Sequence, residues 1–137
     1  MKIMDSVQSP TRESNSAVHR SVLVVDDEEN LLLLLDRILS KEGYRVKTAP
    51  NSYQALHLLE NGGFHLAILD IKMFPLDGLA LLAEIKNRCP SIKVIMITAY
   101  PTVDSRNESF RKGATTYLTK PLDIQQLKSV IRTILPA

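Results

Sequence analysis

His65-Leu66-Ala67-Ile68-Leu69-Asp70 is a short apolar run that ends abruptly on a carboxylate. Such a run, preceded here by Gly62-Gly63, is typical of a strand that is buried on both faces, as in a parallel sheet. Open sheets of this kind bind their ligands at the carboxyl ends of the strands. We therefore predict a strand over His65–Asp70 and expect the Asp70 carboxylate at the ligand-binding edge.

Three other apolar runs also deliver polar side chains to the end of a predicted strand. The first run is followed by Asp26 and Asp27. The later two end on Thr98 and on Lys120. Because parallel strands share one carboxyl edge, we expect these side chains to lie near Asp70. Three acids, a hydroxyl and a lysine at one edge indicate chemistry on a phosphoryl group.

Strands and helices alternate from Ser21 onward, which predicts five βα units and a doubly wound five-stranded parallel sheet with helices on both faces. The predicted strands are Ser21–Asp26, Arg45–Ala49, His65–Asp70, Lys93–Thr98 and Thr116–Thr119. The predicted helices are Glu29–Lys41, a helix capped by Asn51 or Ser52 and ended by Gly62-Gly63, Leu79–Arg88, Thr102–Lys112 and Ile124–Leu135.

Two of the predicted helices differ from an ordinary amphipathic helix. The first carries the run Leu31–Leu35, which is apolar almost all round, so we expect this helix to be deeply packed. The fourth, Thr102–Lys112, has only Val103 and Phe110 as apolar residues. We therefore expect the fourth helix to be the least firmly packed.

The composition is that of one ordinary globular domain. The 137 residues are 45% hydrophobic and 23% charged, and the net charge of +2 gives no reason to expect nucleic acid or an acidic membrane as a partner. The single cysteine, Cys89, excludes an internal disulfide, and with no signal peptide the expected location is the cytoplasm. Residues 1–20 are polar and lack an apolar period, which predicts a flexible N-terminal arm, with a docking segment as the alternative.

Asp26, Asp27 and Asp70 are expected to place like charges close together. At about 4 Å and an effective dielectric near 20, each pair of carboxylates repels by roughly 4 kcal/mol. Such a cluster either binds a proton or recruits a cation. A few hard oxygen ligands suit Mg²⁺, which keeps several of its waters. The alternative is that Asp26-Asp27 only stabilises the N-terminus of the next helix, but convergence with Asp70 and Lys120 favours the metal site.

Asp70 also fits the role of a nucleophile. A carboxylate can attack phosphorus to form an aspartyl phosphate, provided that Mg²⁺ and an ammonium neutralise the incoming charge. Lys120 supplies the ammonium, and the Thr98 hydroxyl can hydrogen-bond a phosphoryl oxygen. The alternatives are a solvated acid at the start of a loop, an ordinary surface lysine and a β-branched strand residue.

Five motifs follow one another along Ser21–Leu135. They are Val24-Val25-Asp26-Asp27-Glu28, Leu69-Asp70-Ile71-Lys72-Met73, Asp77-Gly78, Ile97-Thr98-Ala99-Tyr100 and Leu118-Thr119-Lys120-Pro121. With these motifs the chain resembles the receiver domain of two-component response regulators. In the residues of the motifs it is most similar to receivers of nitrogen-regulation transcriptional activators. The resemblance implies a receiver domain over residues 21–137 with the flavodoxin-like strand order 2-1-3-4-5.

The resemblance implies a role for each residue of the site. Asp70 would be the phosphoacceptor, and Thr98 and Lys120 would bind the phosphoryl group. The implied direct ligands of Mg²⁺ are Asp27, Asp70 and the backbone carbonyl of Lys72, with Asp26 acting through water. A domain of this kind would catalyse only its own phosphorylation and dephosphorylation, so we do not expect an enzyme with a separate substrate.

The resemblance also implies a switch and its partners. Tyr117 matches the switch aromatic, whose ring moves inward when Thr98 moves toward the phosphoryl group. The fourth helix, fifth strand and fifth helix would then engage a downstream effector or a second copy. The implied phosphodonor is a sensor histidine kinase or a phosphotransfer protein, and neither nucleic acid nor membrane is an expected partner. The peptide bond Lys120-Pro121 is expected to be cis.

Two departures from the family pattern and two rival functions remain. Phe74 stands where the family usually has proline, so the loop over the site is expected to differ in shape, and the fourth helix is unusually polar. A Mg²⁺-dependent phosphohydrolase with an aspartyl intermediate would want a second acid where Lys72 stands. A degenerate receiver that signals without phosphate conflicts with the complete set of acids, Thr98 and Lys120.

Overall fold

The apolar runs form one sheet in which each strand is parallel to its neighbours. The computed structural model describes residues 19–136, so most of the expected N-terminal arm lies outside the described residues. Within residues 19–136 the strands are β1 (Ser21–Val25), β2 (Arg45–Ala49), β3 (Leu66–Asp70), β4 (Lys93–Thr98) and β5 (Thr116–Thr119). The helices in this part of the chain are α1 (Glu29–Lys41), α2 (Ser52–Glu60), α3 (Gly78–Arg88), α4 (Val103–Arg111) and α5 (Ile124–Ile134).

The strand order is β2-β1-β3-β4-β5, which confirms the order that the resemblance implied. The register pairs Val25 of β1 with Leu69 of β3. It also pairs Thr98 of β4 with Thr119 of β5. The residues that follow β1, β4 and β5 therefore leave the sheet at the same edge as Asp70, which is the last residue of β3.

Alternate side chains of the strands supply two cores on opposite faces of the sheet. One face packs against α1 and α5, where Leu35 and Ile131 are fully buried. The other face packs against α2 and α3, where Leu59 and Ile85 are buried. Because the central strands are apolar on both faces, the sheet is a rigid support for the loops at its carboxyl edge.

Helix α1 is only half buried, so the expectation that it is deeply packed is wrong. Leu32, Leu35 and Leu39 face the sheet and are buried. Leu33 is 62% exposed and Leu34 is 45% exposed. Residues three, four or seven apart share one face of a helix, whereas five consecutive leucine positions extend around more of the helix than one sheet can cover.

Helix α4 packs through contacts other than its apolar residues. Val103 is 74% exposed and Phe110 is 41% exposed, although they are the only apolar residues of this helix. Within α4, whose residues are all described, the one buried residue is Ser109. The helix therefore contributes little fully buried apolar surface, as expected for a weakly packed element.

Candidate functional site

The acids that follow β1 and end β3 meet at the carboxyl edge of the sheet, as predicted. Asp26 is fully buried, Asp70 is 4% exposed and Asp27 is exposed to solvent. One carboxylate oxygen from each of them lies within 4.8 Å of the other two. At about this separation and an effective dielectric near 20, each charged pair repels by roughly 3 kcal/mol. The cluster is therefore suited to take up a cation.

Backbone geometry orients the two buried carboxylates. Oδ1 of Asp26 accepts a hydrogen bond from the N–H of Glu28 at 2.8 Å. Oδ1 of Asp70 accepts one from the N–H of Lys72 at 3.3 Å. Gly78 lets α3 begin directly beside β3, because a Cβ at this position would clash with the backbone carbonyl of Asp70. In each carboxylate Oδ1 is thus bound to nearby backbone, while Oδ2 lies beside the Lys120 ammonium.

Lys120 joins the acids from the end of β5. Its Nζ lies 2.8 Å from Oδ2 of Asp26 and 3.5 Å from Oδ2 of Asp70. A third carboxylate, that of Glu28, lies 3.2 Å away. Glu28 and Asp70 accept hydrogen bonds from Lys120, whereas Oδ2 of Asp26 is ion-paired without a well-aligned hydrogen bond. The Lys120 side chain is 15% exposed, so these acids replace most of its water.

Burial and pairing shift the pKa of three groups in the site. Burial raises the pKa of Asp26 above its usual value, although the Lys120 ammonium opposes this. Burial also raises the pKa of Asp70, and the negative charge of Asp26 adds to the effect. Burial by itself lowers the pKa of Lys120, but its contacts with Asp26, Asp70 and Glu28 outweigh burial and raise it to about 12. The lysine therefore stays charged while the buried acids favour an added proton or cation.

Thr98 ends β4 as predicted and is fully buried. Its Oγ1 accepts a hydrogen bond from the N–H of Tyr100 at 3.0 Å. Its carbonyl accepts a second one from the N–H of Lys120 at 2.8 Å, which ties the ends of β4 and β5 together. The Thr98 hydroxyl thus lies at the same edge as the acids and is engaged by the loop after its own strand.

Tyr117 of β5 is half-buried and packs against the core shared with α2 and α3. Its hydroxyl lies 2.7 Å from Oγ of Ser105 in α4. Ser105 also forms a capping box with Thr102, and its carbonyl accepts a hydrogen bond from the buried Ser109 at 2.7 Å. The sequence does not single out Ser105 as part of the site. The serine three residues after Thr102 is a capping signal, but nothing in the sequence indicates its contact with Tyr117.

The loop between β3 and α3 forms a second wall of the site. The peptide bonds Phe74-Pro75 and Lys120-Pro121 are both cis, the second as the resemblance implied. The Phe74 ring is 86% exposed. The loop is tied to α2 by the fully buried Ser52, whose hydroxyl donates to the carbonyl of Leu76 at 2.5 Å. A cleft of about 500 Å³ leads to the acids, and its lining includes Asp27, Lys72, Phe74 and Tyr100.

The residues present fit a Mg²⁺ ion. The donors are hard carboxylate oxygens, and the exposed Asp27 opens the cluster to solvent, so that an ion there keeps some of its waters. The buried Oδ2 of Asp26 lacks a well-aligned hydrogen bond and can accept one from such a water. Charge, donor type and access therefore agree with the predicted ion.

Comparisons with known proteins identify a family and relatives that are similar to this chain. The model of the response regulator receiver domain family matches residues 22–132. Transcriptional regulatory protein ZraR of Klebsiella oxytoca is 43% identical over 107 residues, which cover 78% of this chain and 24% of ZraR. Sporulation initiation phosphotransferase F of Bacillus subtilis (strain 168) is 34% identical over 119 residues, which cover 87% of this chain and 96% of the relative.

A solved structure has the same fold. The CheY-like response regulator receiver domain protein from Methanospirillum hungatei JF-1 superimposes with a TM-score of 0.83 at 33% identity, over 85% of this chain and 94% of that one. The chain thus spans about a quarter of the length of ZraR but nearly all of phosphotransferase F. Within the described residues, no helix has both the length and the apolar character that crossing a bilayer requires.

Proposed function

This chain belongs to the response regulator receiver family, and on that premise we propose that it is a phosphorylation-dependent switch of a two-component system with Asp70 as its phosphoacceptor. The observation that carries the proposal is the position of the Asp70 carboxylate, 3.5 Å from the Lys120 ammonium and within 4.8 Å of two other acids. The proposed phosphodonor is a sensor histidine kinase or a phosphotransfer protein. The proposed location is the cytoplasm.

The transfer is a nucleophilic displacement at phosphorus. A carboxylate oxygen of Asp70 forms the new P–O bond while the P–N bond to the donor imidazole breaks, and the imidazole leaves with a proton from solvent. Lys120, whose side chain is 15% exposed, offsets the negative charge of the transferred group. Mg²⁺, when bound by Asp27, Asp70 and the backbone carbonyl of Lys72 with Asp26 acting through water, supplies further charge neutralisation.

Phosphorylation then changes the contacts of the edge. A dianionic phosphoryl group on Asp70 offers the Thr98 hydroxyl an acceptor, which competes with its present bond to Tyr100. Movement of Thr98 opens space behind β4, and Tyr117 fills that space. Since Tyr117 is hydrogen-bonded to Ser105, its movement is coupled to α4. The surface formed by α4, β5 and α5 is the proposed output, for an effector or a second copy of the domain.

Intact-mass measurement after incubation with acetyl phosphate and Mg²⁺ tests the proposal. We expect one added phosphoryl group, labile to hydroxylamine as an acyl phosphate is, and we expect none in Asp70→Asn. The matched control is Asp77→Asn, because Asp77 is an exposed acid nearby whose capping role asparagine also fulfils. Modification of Asp70→Asn at the wild-type level would move the phosphoacceptor elsewhere.

A further inference from the structure

The side chain of Glu28 makes an unusual contact for a residue that caps a helix. Glu28 is the N-cap of α1, yet its side chain accepts no hydrogen bond from the helix. Among the five helices of residues 19–136, the other four N-cap side chains do accept such a bond, and they are Asn51, Asp77, Thr102 and Asp123. The carboxylate of Glu28 is therefore free to make a contact away from α1.

That contact is with Lys120. Oε1 of Glu28 accepts a hydrogen bond from Nζ of Lys120 at 3.2 Å, across 92 residues of sequence. The Glu28 side chain is 63% exposed, whereas those of Asp26 and Asp70, the other partners of Lys120, are 0% and 5% exposed. Glu28 thus holds the ammonium from the rim of the site, while the two aspartates hold it from the inside.

We propose that Glu28 is a positioning residue that restrains the Lys120 ammonium from the rim of the site in the resting state and so slows phosphoryl transfer to Asp70. The inference rests on the proposed function, because it concerns the rate of that reaction. In this role Glu28 acts through Lys120 and not through a contact of its own with the acceptor oxygen of Asp70.

The hydrogen bond between Glu28 and Lys120 is expected to be stronger in the resting state than in the transition state. During transfer the ammonium must serve the phosphoryl oxygens, so its hydrogen bond with Glu28 is present before the reaction and weakened during it. An interaction that is stronger in the ground state than in the transition state lowers the rate. Lys120 does not need Glu28 to stay in the site, since Asp26 lies closer to its Nζ, at 2.8 Å. The negative charge of Glu28 also repels an incoming anionic donor.

The test compares Glu28→Gln with Glu29→Gln. Glu29 is the next residue, is exposed and lies in the first turn of the same helix, so its substitution makes the same change in net charge and in helix-terminus electrostatics. With phosphoramidate as the donor and Mg²⁺ present, the P–N bond breaks as the P–O bond to Asp70 forms, and ammonia leaves. We expect Glu28→Gln to be phosphorylated roughly two- to fivefold faster than wild type, the range that an exposed ion pair can supply. Glu29→Gln should keep the wild-type rate.

A second measurement reports the contact without phosphorylation. The ¹⁵N resonance of the Lys120 ammonium, assigned with Lys120→Arg and recorded without Mg²⁺ or donor, should shift in Glu28→Gln and stay in place in Glu29→Gln. High salt should reduce the rate difference between Glu28→Gln and wild type, because the pair lies at the exposed rim.

The possible outcomes distinguish failure of the restraining role of Glu28 from failure of the proposed function. If wild type is phosphorylated and Glu28→Gln reacts at the same rate or more slowly, the restraining role of Glu28 is overturned while the proposed function stands. The role is also overturned if Glu29→Gln accelerates the reaction as much as Glu28→Gln does. If wild type accepts no phosphoryl group from any donor, the proposed function fails, and the kinetic role of Glu28 fails with it.

Discussion

The hydroxyl oxygen of Tyr117 lies 2.7 Å from Oγ of Ser105, so the second residue of β5 is joined to the first turn of α4. Ser105 is also the third residue of α4 and forms a capping box with Thr102. One side chain therefore contacts both the start of the helix and the Tyr117 hydroxyl. Since Val103 and Phe110 leave much of their surface in solvent, this hydrogen bond is one of the few contacts between α4 and β5.

A double-mutant cycle measures this contact. Ser105→Ala and Tyr117→Phe should each lower the free energy of unfolding by about 1 kcal/mol, because each removes one partner of a half-buried hydrogen bond. The double variant should lose less than the sum, with a coupling energy of about 0.5–1 kcal/mol. Urea denaturation gives the four values, and Tyr53→Phe is the control at an exposed tyrosine. Strictly additive losses would mean that the contact does not stabilise the fold.

Hydrogen exchange with and without beryllofluoride, a phosphoryl mimic, tests the proposed switch. We expect the largest change in protection between Tyr100 and Gly113, because α4 is weakly packed and such elements open at low free energy. Thr98→Ala should reduce the change, whereas Thr119→Ala, at the neighbouring strand end in the register, should not. A change restricted to residues 71–78, with α4 unaffected, would contradict the coupling.

Mg²⁺ should raise the melting temperature by relieving the repulsion among the acids. For a Kd in the millimolar range, Mg²⁺ at about ten times Kd stabilises the fold by about 1.4 kcal/mol, which corresponds to a few degrees for a domain of this size. Asp27→Ala should lose most of this response, and Asp36→Ala, an acid elsewhere on α1, should keep it. Differential scanning calorimetry measures both. An equal response in Asp27→Ala and wild type would place the ion at another site.

The difference in stability between Asp70→Asn and wild type should depend on pH in a defined direction. The folded state raises the pKa of Asp70, first through burial and then through the charge of Asp26. The carboxyl therefore contributes stability below its unfolded pKa of 3.8, and this stability is lost as the pH rises through the raised value. Without Mg²⁺ we expect Asp70→Asn to melt a few degrees higher than wild type at neutral pH, on the order of 1 kcal/mol.

The same advantage of Asp70→Asn should disappear in acid, where the wild-type carboxyl is also neutral. Thermal melts at a series of pH values give the comparison, and Asp77→Asn should show no such trend. An advantage of Asp70→Asn that is equal at acid and neutral pH would show that charge is not its origin.

The sequence by itself determined the strands and the chemistry at their ends. An apolar run such as Val94–Ile97 forms a strand whose two faces must both be covered by helices, as in a parallel sheet. The positions of the strands and their parallel arrangement therefore follow from the local pattern. Each run ends on a polar residue, and parallel strands share an edge. The sequence therefore predicts that Asp26, Asp70 and Lys120 meet, and in the structure they do.

Only the tertiary structure decided which side chains share a contact and which stay in solvent. No sequence pattern indicates the pair of Lys120 with Glu28, the hydrogen bond between Tyr117 and Ser105, or the exposure of Leu33. Local periodicity tells which face of an element is apolar, but it contains no information on how far two elements lie apart or which rotamer bridges them. Those distances are set by the packing of helices against the sheet, and they decide which carboxylate a lysine reaches.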